Sequence, residues 1–322
     1  MFISHAQNFE DVMLWRALKD VKDGFYIDVG AAWPEKDSVT KAFYDRNWRG
    51  INIEPNLDMW RLLAADRTRD TNLRLALSDR GGRADFYIIS NTGLSSLNSD
   101  VAALHESSGF QIERERVDVS TLGDVWREHV GSRSVHFLKI DVEGAERQVL
   151  QGNDWSRNRP WIVVIESTVP ATQIWNHDSW ESIILNSHYQ LAYNDGLNRF
   201  YVAAEHQEIL PAFSSPPNVF DGFVLAEQFK TSARARSAET RAQVAEVRAG
   251  TSETAMHVLQ ARLHEVEASI HLTRKRANQA NARAQKAKAR LAKMKSTISW
   301  RMTKPIRAVA RIVSRCLNLV RQ

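Results

Sequence analysis

From residue 25 to residue 203 the chain repeats one pattern: a short apolar run, a turn residue, then a stretch with helical periodicity. Phe25-Tyr26-Ile27-Asp28-Val29 is such a run, ending at Gly30, and residues 38–47 predict a helix opened by Ser38. Gly50-Ile51-Asn52-Ile53-Glu54-Pro55 predicts a second strand with a sharp stop, and Leu73–Leu77 and Ala84–Ile89 predict further strands. His136–Ile140 and Trp161–Ile165 are continuous apolar runs of the kind that strands buried on both faces require. Gln190–Tyr193 and Arg199–Ala203 flank Asn194-Asp195-Gly196-Leu197-Asn198 and predict a late hairpin. Strands alternating with helices predict an α/β domain, a doubly wound and mostly parallel sheet with helices on both faces.

The pattern changes near residue 230. Residues 231–299 contain one glycine, no proline, and many Ala, Arg, Glu, Gln and Lys, all strong helix formers except the glycine. From Ala238 through Met256, Leu259, Leu263, Val266 and Ile270 to Ile298, small or apolar residues recur at alternating +4 and +3 spacing. That heptad pattern predicts a long α-helical coiled coil and a homo-oligomer, although the Ala-rich flanks bury little area. Beyond it, Arg307, Arg311 and Arg315 share one helical face, and Ile306, Val309, Val313, Cys316, Leu317 and Val320 lie mainly on the other. This predicts a basic amphipathic helix suited to an anionic membrane surface. Three segments follow: a globular domain over 1–229, a long helix or coiled coil over 230–299, and the amphipathic helix over 300–322.

Charge divides at the same place. Residues 230–322 carry 21 Lys and Arg against five Asp and Glu, whereas residues 1–229 carry 22 against 33. An acidic domain with a basic tail fits a polyanionic partner for the tail, and membrane is favoured over nucleic acid because no recognition motif is present. A single cysteine among 322 residues excludes an intrachain disulfide framework and a Cys-rich zinc site. No apolar run approaches the ~20 residues that span a bilayer, and no secretory signal opens the chain. The expectation is a cytoplasmic protein, peripheral on the inner membrane face.

In open α/β sheets, ligands bind beyond the carboxyl ends of the central strands. Asp28, Glu54, Asp141 and Glu166 stand at those ends and are the first candidates. Glu54 follows Gly30 by 24 residues, a spacing that suits an acid holding ribose hydroxyls in either a dinucleotide or S-adenosylmethionine. The turn Gly30-Ala31-Ala32-Trp33-Pro34-Glu35 discriminates better. Pro34 lacks an N–H, and Glu35 and Asp37 would repel a pyrophosphate, whereas a cationic sulfonium suits acidic surroundings. The competing reading is a set of strand-ending carboxylates that merely cap helices.

Several segments in one order carry a family resemblance. They are Ser4–Asp11, Phe25–Ala31, Ser38–Tyr44, Trp48–Pro55 and, most specifically, Phe137-Leu138-Lys139-Ile140-Asp141-Val142-Glu143-Gly144-Ala145-Glu146. Arg159-Pro160-Trp161 and Asp195–Tyr201 add to it. Over about residues 3–226 the chain resembles FkbM-type methyltransferases, in a subgroup similar to glycan-modifying enzymes. The resemblance implies a class I (Rossmann-like) S-adenosylmethionine-dependent fold and O-methylation. It implies a cofactor set of Asp28, Gly30, Ala31, Ser38 and Glu54, with Leu77 and Ser78 flanking the adenine. By resemblance too, Gln7, Glu10 and Asp11 pack the N-terminal segment over the cofactor. The usual glycine-rich loop is reduced here to Gly30 with two alanines.

A sugar hydroxyl is a poor nucleophile, so a base or a metal must help remove its proton. Asp141 is the leading candidate as base, metal ligand or partner of the cofactor's amino group, and Glu166 could join it. Lys139 has the same side-chain parity as Asp141, and a lysine in a buried strand needs a carboxylate partner. Glu143 and Glu146 also read as helix-start carboxylates. His136 reads as core or interface, and His5 and His177 as acceptor-side residues. Asp141, Glu143 and Glu166 are chemically able to hold magnesium, but three acids are not a specific signature, and no metal site is assigned. The expected function is sugar O-methylation of a glycan or lipid-linked saccharide. The alternative is a coiled-coil scaffold of a glycan-assembly complex that retains the methyltransferase fold.

Overall fold

The computed structural model describes residues 1–89, 92–303 and 305–310. It divides into two compact units, residues 1–234 and 235–322. The first is built on a seven-stranded sheet: β1 (Phe25–Val29), β2 (Arg49–Ile53), β3 (Thr71–Leu73), β4 (Phe137–Ile140), β5 (Ile162–Glu166), β6 (Tyr189–Asn194) and β7 (Asn198–Ala203). The strand order is 3-2-1-4-5-7-6. β1 to β5 are mutually parallel, and β7 runs antiparallel to both β5 and β6. The order reverses between β1 and β4. The two chain crossovers diverge there and leave a crevice at the carboxyl edge.

Alternation along the strands explains the two cores. Ile27, Val29, Ile51, Ile53, Leu138, Ile140, Val163 and Ile165 form one apolar face. Tyr26, Phe137, Ile162, Val164, Phe200 and Val202 form the other. Asp28, Asn52 and Lys139 share the parity of the second face, which therefore turns from aromatic to polar toward the carboxyl edge. Sequence neighbours outside the sheet seal this polar row. Arg67 is fully buried, with Nε and Nη2 donating to Pro34 O and Nη2 also donating to Ser38 Oγ at 2.9 Å.

Several elements differ from the sequence expectation. The run Leu73–Leu77 divides: Thr71–Leu73 joins the central sheet, and Ala76–Leu77 leaves it for a three-stranded side sheet. Ala84–Ile89 belongs to that side sheet as part of Gly82–Ile89, paired antiparallel with Ile112–Ser120. The helix expected over 38–47 is confined to Lys41–Tyr44, because Ser38 and Thr40 spend their hydroxyls on Arg67 and Asp28. Phe2–Ser4 pairs in parallel with Phe223–Leu225, a contact too long in sequence separation to be read locally.

The heptad positions from Ala238 onward lie in one helix, Ala226–Ser296, except the last, Ile298, which opens a second, Ile298–Met302. Among the described residues, the seam positions Met256, Leu259, Leu263 and Ile270 are exposed. Of the amphipathic face, Arg311, Arg315, Val313, Cys316, Leu317 and Val320 lie outside the described residues. Among the described residues no helix is long and apolar enough to cross a membrane.

Gly50 illustrates how tightly the polar face is packed. It pairs with Tyr26 across β1 and β2, and a Cβ on it would overlap the Tyr26 ring, whose hydroxyl donates to Asp70 Oδ2 at 2.6 Å. Gly50→Ala should cost about 1–3 kcal/mol from overpacking. A melting temperature lowered by about 2 °C or more in thermal unfolding is the expected outcome.

Candidate functional site

At the carboxyl edge of β1, β2, β4 and β5 lies a cavity of about 690 Å³. Its floor is the turn after β1. Gly30 has φ +78, and a Cβ on it would overlap the carbonyl oxygen of Asp141. Glycine is therefore required there by both conformation and space. The turn's donors are already committed. Gly30 N and Ala31 N donate to Ile53 O, and Ala32 N donates to Glu54 Oε2 at 2.9 Å. These three amides have no spare N–H for a pyrophosphate, which agrees with the reading against a dinucleotide.

Glu54 is buried at the end of β2, with Oε1 accepting from Asn56 N at 2.8 Å. Both oxygens are thereby oriented, and each keeps a second lone pair. Burial raises its pKa to about 7, against the pull of the two amides and Lys139 and with a small push from Asp28. Leu77, Phe86 and Leu97 come from the side-sheet region and form an apolar wall of the cavity. Neither Phe86 nor Leu97 was among the expected site residues.

The opposite wall is acidic. Lys139 sits beside Asp28 in register, its Nζ 3.1 Å from Asp141 Oδ2 and 3.7 Å from Asp28 Oδ1. Burial pushes the ammonium's pKa down, but Asp141 and Asp28 more than reverse it, so it lies above the usual lysine value. Asp28 stays above its own usual value because burial outweighs Lys139. Asp141, Glu143 and Glu166 each offer an oxygen within 4.8 Å of the other two. Burial, then repulsion from Asp141 and Glu143, raises Glu166 to about 11, and burial followed by Asp141 raises Glu143 well above the carboxylate range. Glu146 fulfils the helix-start reading, because Oε1 accepts from Val142 N and Gly144 N. Glu143 does not: it lines the cavity in a left-handed conformation, φ +55.

The expected residues are thus brought together unequally. Gly30, Ala31, Glu54, Leu77, Lys139, Asp141 and Glu166 line the cavity. Asp28 lies beneath Lys139 and Ser38 beneath Arg67, so both act behind the wall. Ser78 is a correction of another kind. It donates to Asp79 Oδ1 and lines a separate depression, because Leu77 alone of the pair turns inward. Gln7 reaches the cavity, whereas Glu10 and Asp11 fasten the N-terminal segment from behind. Glu10 accepts from Asn198 Nδ2 and Asn8 N, and Asp11 from Ser4 Oγ and the amides of His5 and Ala6. His136 is a core residue, its Nδ1 accepting from Phe25 N between Trp48 and Trp161. His5 and His177 do not line the cavity. Trp33, Thr168 and Gln173 do, and were missed because loop residues far apart in sequence carry no common pattern.

A family model described as the methyltransferase FkbM domain matches residues 28–206. The chain therefore belongs to the FkbM methyltransferase family, which implies the class I methyltransferase fold and a methyltransferase activity. No curated protein compared with the chain matches it.

The buried Glu54 carboxyl yields a pH test. Its pKa is about 7 in the folded chain and 4.5 as an unfolded side chain, so between those values the folded state binds more protons. Its contribution favours folding at the acidic end and is lost as pH rises from 4.5 through about 7. His5 and His136, lowered by burial, act in the opposite sense below pH 6.5. Comparison with Glu54→Gln removes that background. The wild-type melting temperature should fall more steeply from pH 5 to pH 8 than that of the variant.

Proposed function

We propose that this FkbM-family methyltransferase uses S-adenosylmethionine to methylate a hydroxyl of a glycan or lipid-linked saccharide. One observation carries the reading: five carboxylates and two lysines line the cavity, and the turn at its floor offers no free amide from residues 30–32. Lys139 and Lys36 are each paired with a lining carboxylate, Asp141 and Asp37, so the lining offers carboxyl oxygens to a sulfonium and little cationic charge to a phosphate. The volume falls within the usual range of small-molecule sites, about 300–1,000 Å³. The residues fit the cofactor: Gly30 admits close approach, Glu54 offers two oriented acceptors to ribose hydroxyls, and Leu77 and Phe86 offer apolar packing to an adenine.

The cofactor, when bound, supplies an activated methyl group. The protein's own part is orientation, worth several kcal/mol in an in-line displacement, and removal of the acceptor's proton. Asp141 is the base in this reading, because among the acids of the β4–β5 wall, Asp141, Glu143 and Glu166, its side chain is the partly open one, at 32% exposure. Lys139 positions it through the 3.1 Å ion pair. Glu166 stands beside it at the end of β5. Trp33, Thr168, Thr172 and Gln173 would receive the acceptor, since neutral hydroxyl and amide groups beside an aromatic ring suit a hydroxyl-rich ligand.

Two isosteric variants separate binding from chemistry. Glu54→Gln should weaken S-adenosylmethionine at least tenfold by calorimetry, since each charge-assisted hydrogen bond is worth about 1.5–3 kcal/mol. Asp141→Asn should retain cofactor affinity and lose about a hundredfold or more in kcat. Unchanged affinity in the first, or full turnover in the second, would remove that residue from the site.

The tail, in the same reading, places the enzyme. Leu259, Leu263, Val266 and Ile270 remain more than half exposed on the long helix, an apolar stripe that self-association would cover. Arg307 and the basic residues after it would meet anionic lipid at the inner face of the membrane, each contributing about 1 kcal/mol and screened by salt. Truncation after Arg234 retains the 2.9 Å Lys230–Glu35 ion pair. The shortened protein should bind S-adenosylmethionine as before, form a smaller assembly by light scattering, and no longer sediment with anionic vesicles. Vesicle binding that survives truncation would refute the anchor.

A further inference from the structure

The acidic wall contains more carboxyl groups than its one lysine serves. Lys139 Nζ is committed to Asp141 Oδ2, Asp28 Oδ1 and, at 3.4 Å, Gly30 O. Glu143 and Glu166 are only 8% and 9% exposed, and the Oε2 atom of each is buried with no hydrogen-bond partner. Buried polar atoms are ordinarily satisfied, and buried carboxylates pair with cations or coordinate metals. Both Oε2 atoms belong to side chains that line the cavity wall beside Asp141, so the unfilled acceptors and the partly exposed carboxylate meet at one place.

The local backbone is built to bring them there. Asp141 follows β4 directly, with its amide donating to Val29 O, and Glu166 ends the adjacent strand. Glu143 is turned inward by its left-handed conformation, and Ser96 Oγ donates to its carbonyl at 2.7 Å, pinning the loop from a distant segment. The three ligand atoms lie within 4.8 Å of one another. Oxygen ligands stand about 2.0–2.6 Å from magnesium, manganese or calcium, so opposite ligands lie about 4–5 Å apart across the ion. An all-carboxylate set without His or Cys selects a hard cation over zinc or copper.

We propose that Asp141, Glu143 and Glu166 form a binding site for one hard divalent cation on the acceptor side of the cavity. Three protein ligands leave coordination positions open, for water and for an acceptor oxygen. The second of these rests on the hydroxyl-methylation reading: an ion there would lower the hydroxyl's proton affinity and hold its oxygen beside Asp141. Metal binding itself rests only on the three carboxylates and needs neither cofactor nor acceptor.

The probe is Mn²⁺, titrated into the full-length protein after chelator dialysis and followed by loss of the free-ion electron paramagnetic resonance signal. One tight site per chain is expected, displaced by excess Mg²⁺ or Ca²⁺. Glu143→Gln and Glu166→Gln should each weaken it at least tenfold, with circular dichroism and S-adenosylmethionine affinity retained. The two residues lie on separate segments, so either variant suffices if the other fails to fold. Absence of Mn²⁺ binding at millimolar concentration, or Mn²⁺ binding unchanged in the folded variants, would overturn the site and leave the methyl-transfer reading standing. Displacement of Mn²⁺ by saturating S-adenosylmethionine would also overturn it, by assigning the acids to the cofactor's ammonium group. Loss of S-adenosylmethionine binding in wild-type protein that still takes up Mn²⁺ would count against the methyl-transfer reading alone.

Discussion

An ammonium sealed between two carboxylates holds the centre of this domain. Lys139 lies inside a parallel strand, where an unpaired charge would cost several kcal/mol. Asp28 is its register neighbour and Asp141 follows two residues later, so strand pairing itself delivers both counter-ions. The pair of strands that supplies them, β1 and β4, is also the pair between which the crossovers diverge. Charge compensation and the ligand crevice therefore have one origin. Without Lys139, Asp28 and Asp141 would face each other and the acids beyond them with no cation at the wall.

The rest of the polar face is arranged around that centre in layers. Thr40 Oγ1 donates to Asp28 Oδ2 at 3.0 Å, Arg67 holds Pro34 O and Ser38 Oγ, and Asp70 receives Tyr26 OH, Asn52 Nδ2 and Gly50 N. These groups never reach the cavity. They fix the turn that carries Gly30, and through Gly30 the close approach of the Asp141 backbone. A cofactor set drawn from sequence alone thus mixes two kinds of residue: those that touch the cavity, such as Glu54 and Leu77, and those that hold the wall, such as Asp28 and Ser38.

The two sides of the cavity differ in character, and the difference suits group transfer between unlike molecules. The side-sheet wall with Leu77, Phe86 and Leu97 is apolar and ends at Glu54. The β4–β5 wall is acidic and continues into Thr168, Thr172 and Gln173. The N-terminal segment is bound to this second region through Asn198, whose side chain donates to Glu10, and through the Asp195 carbonyl, which accepts from Asn8 Nδ2 at 3.3 Å. The late hairpin therefore contributes through its turn, where Leu197 lines the cavity, and through Asn198 at the start of β7.

The sequence by itself determined the alternation of strands and helices, the strand-end acids and the parity that places Lys139 with Asp141. All of these follow from local periodicity and from the cost of burying charge. It also marked the change near residue 230, where helix formers and heptad spacing replace the turn residues. Tertiary structure alone decided the partition of Leu73–Leu77 between two sheets, the exit of Ser78 from the cavity wall, and the burial of Arg67. It alone decided that Glu143 faces inward with an unpartnered oxygen, because a left-handed residue held by Ser96 across 47 positions leaves no periodic trace. The reason is common to these cases. Register, parity and charge compensation act between neighbours along a strand, whereas the direction of a loop side chain depends on contacts from segments far away in the chain.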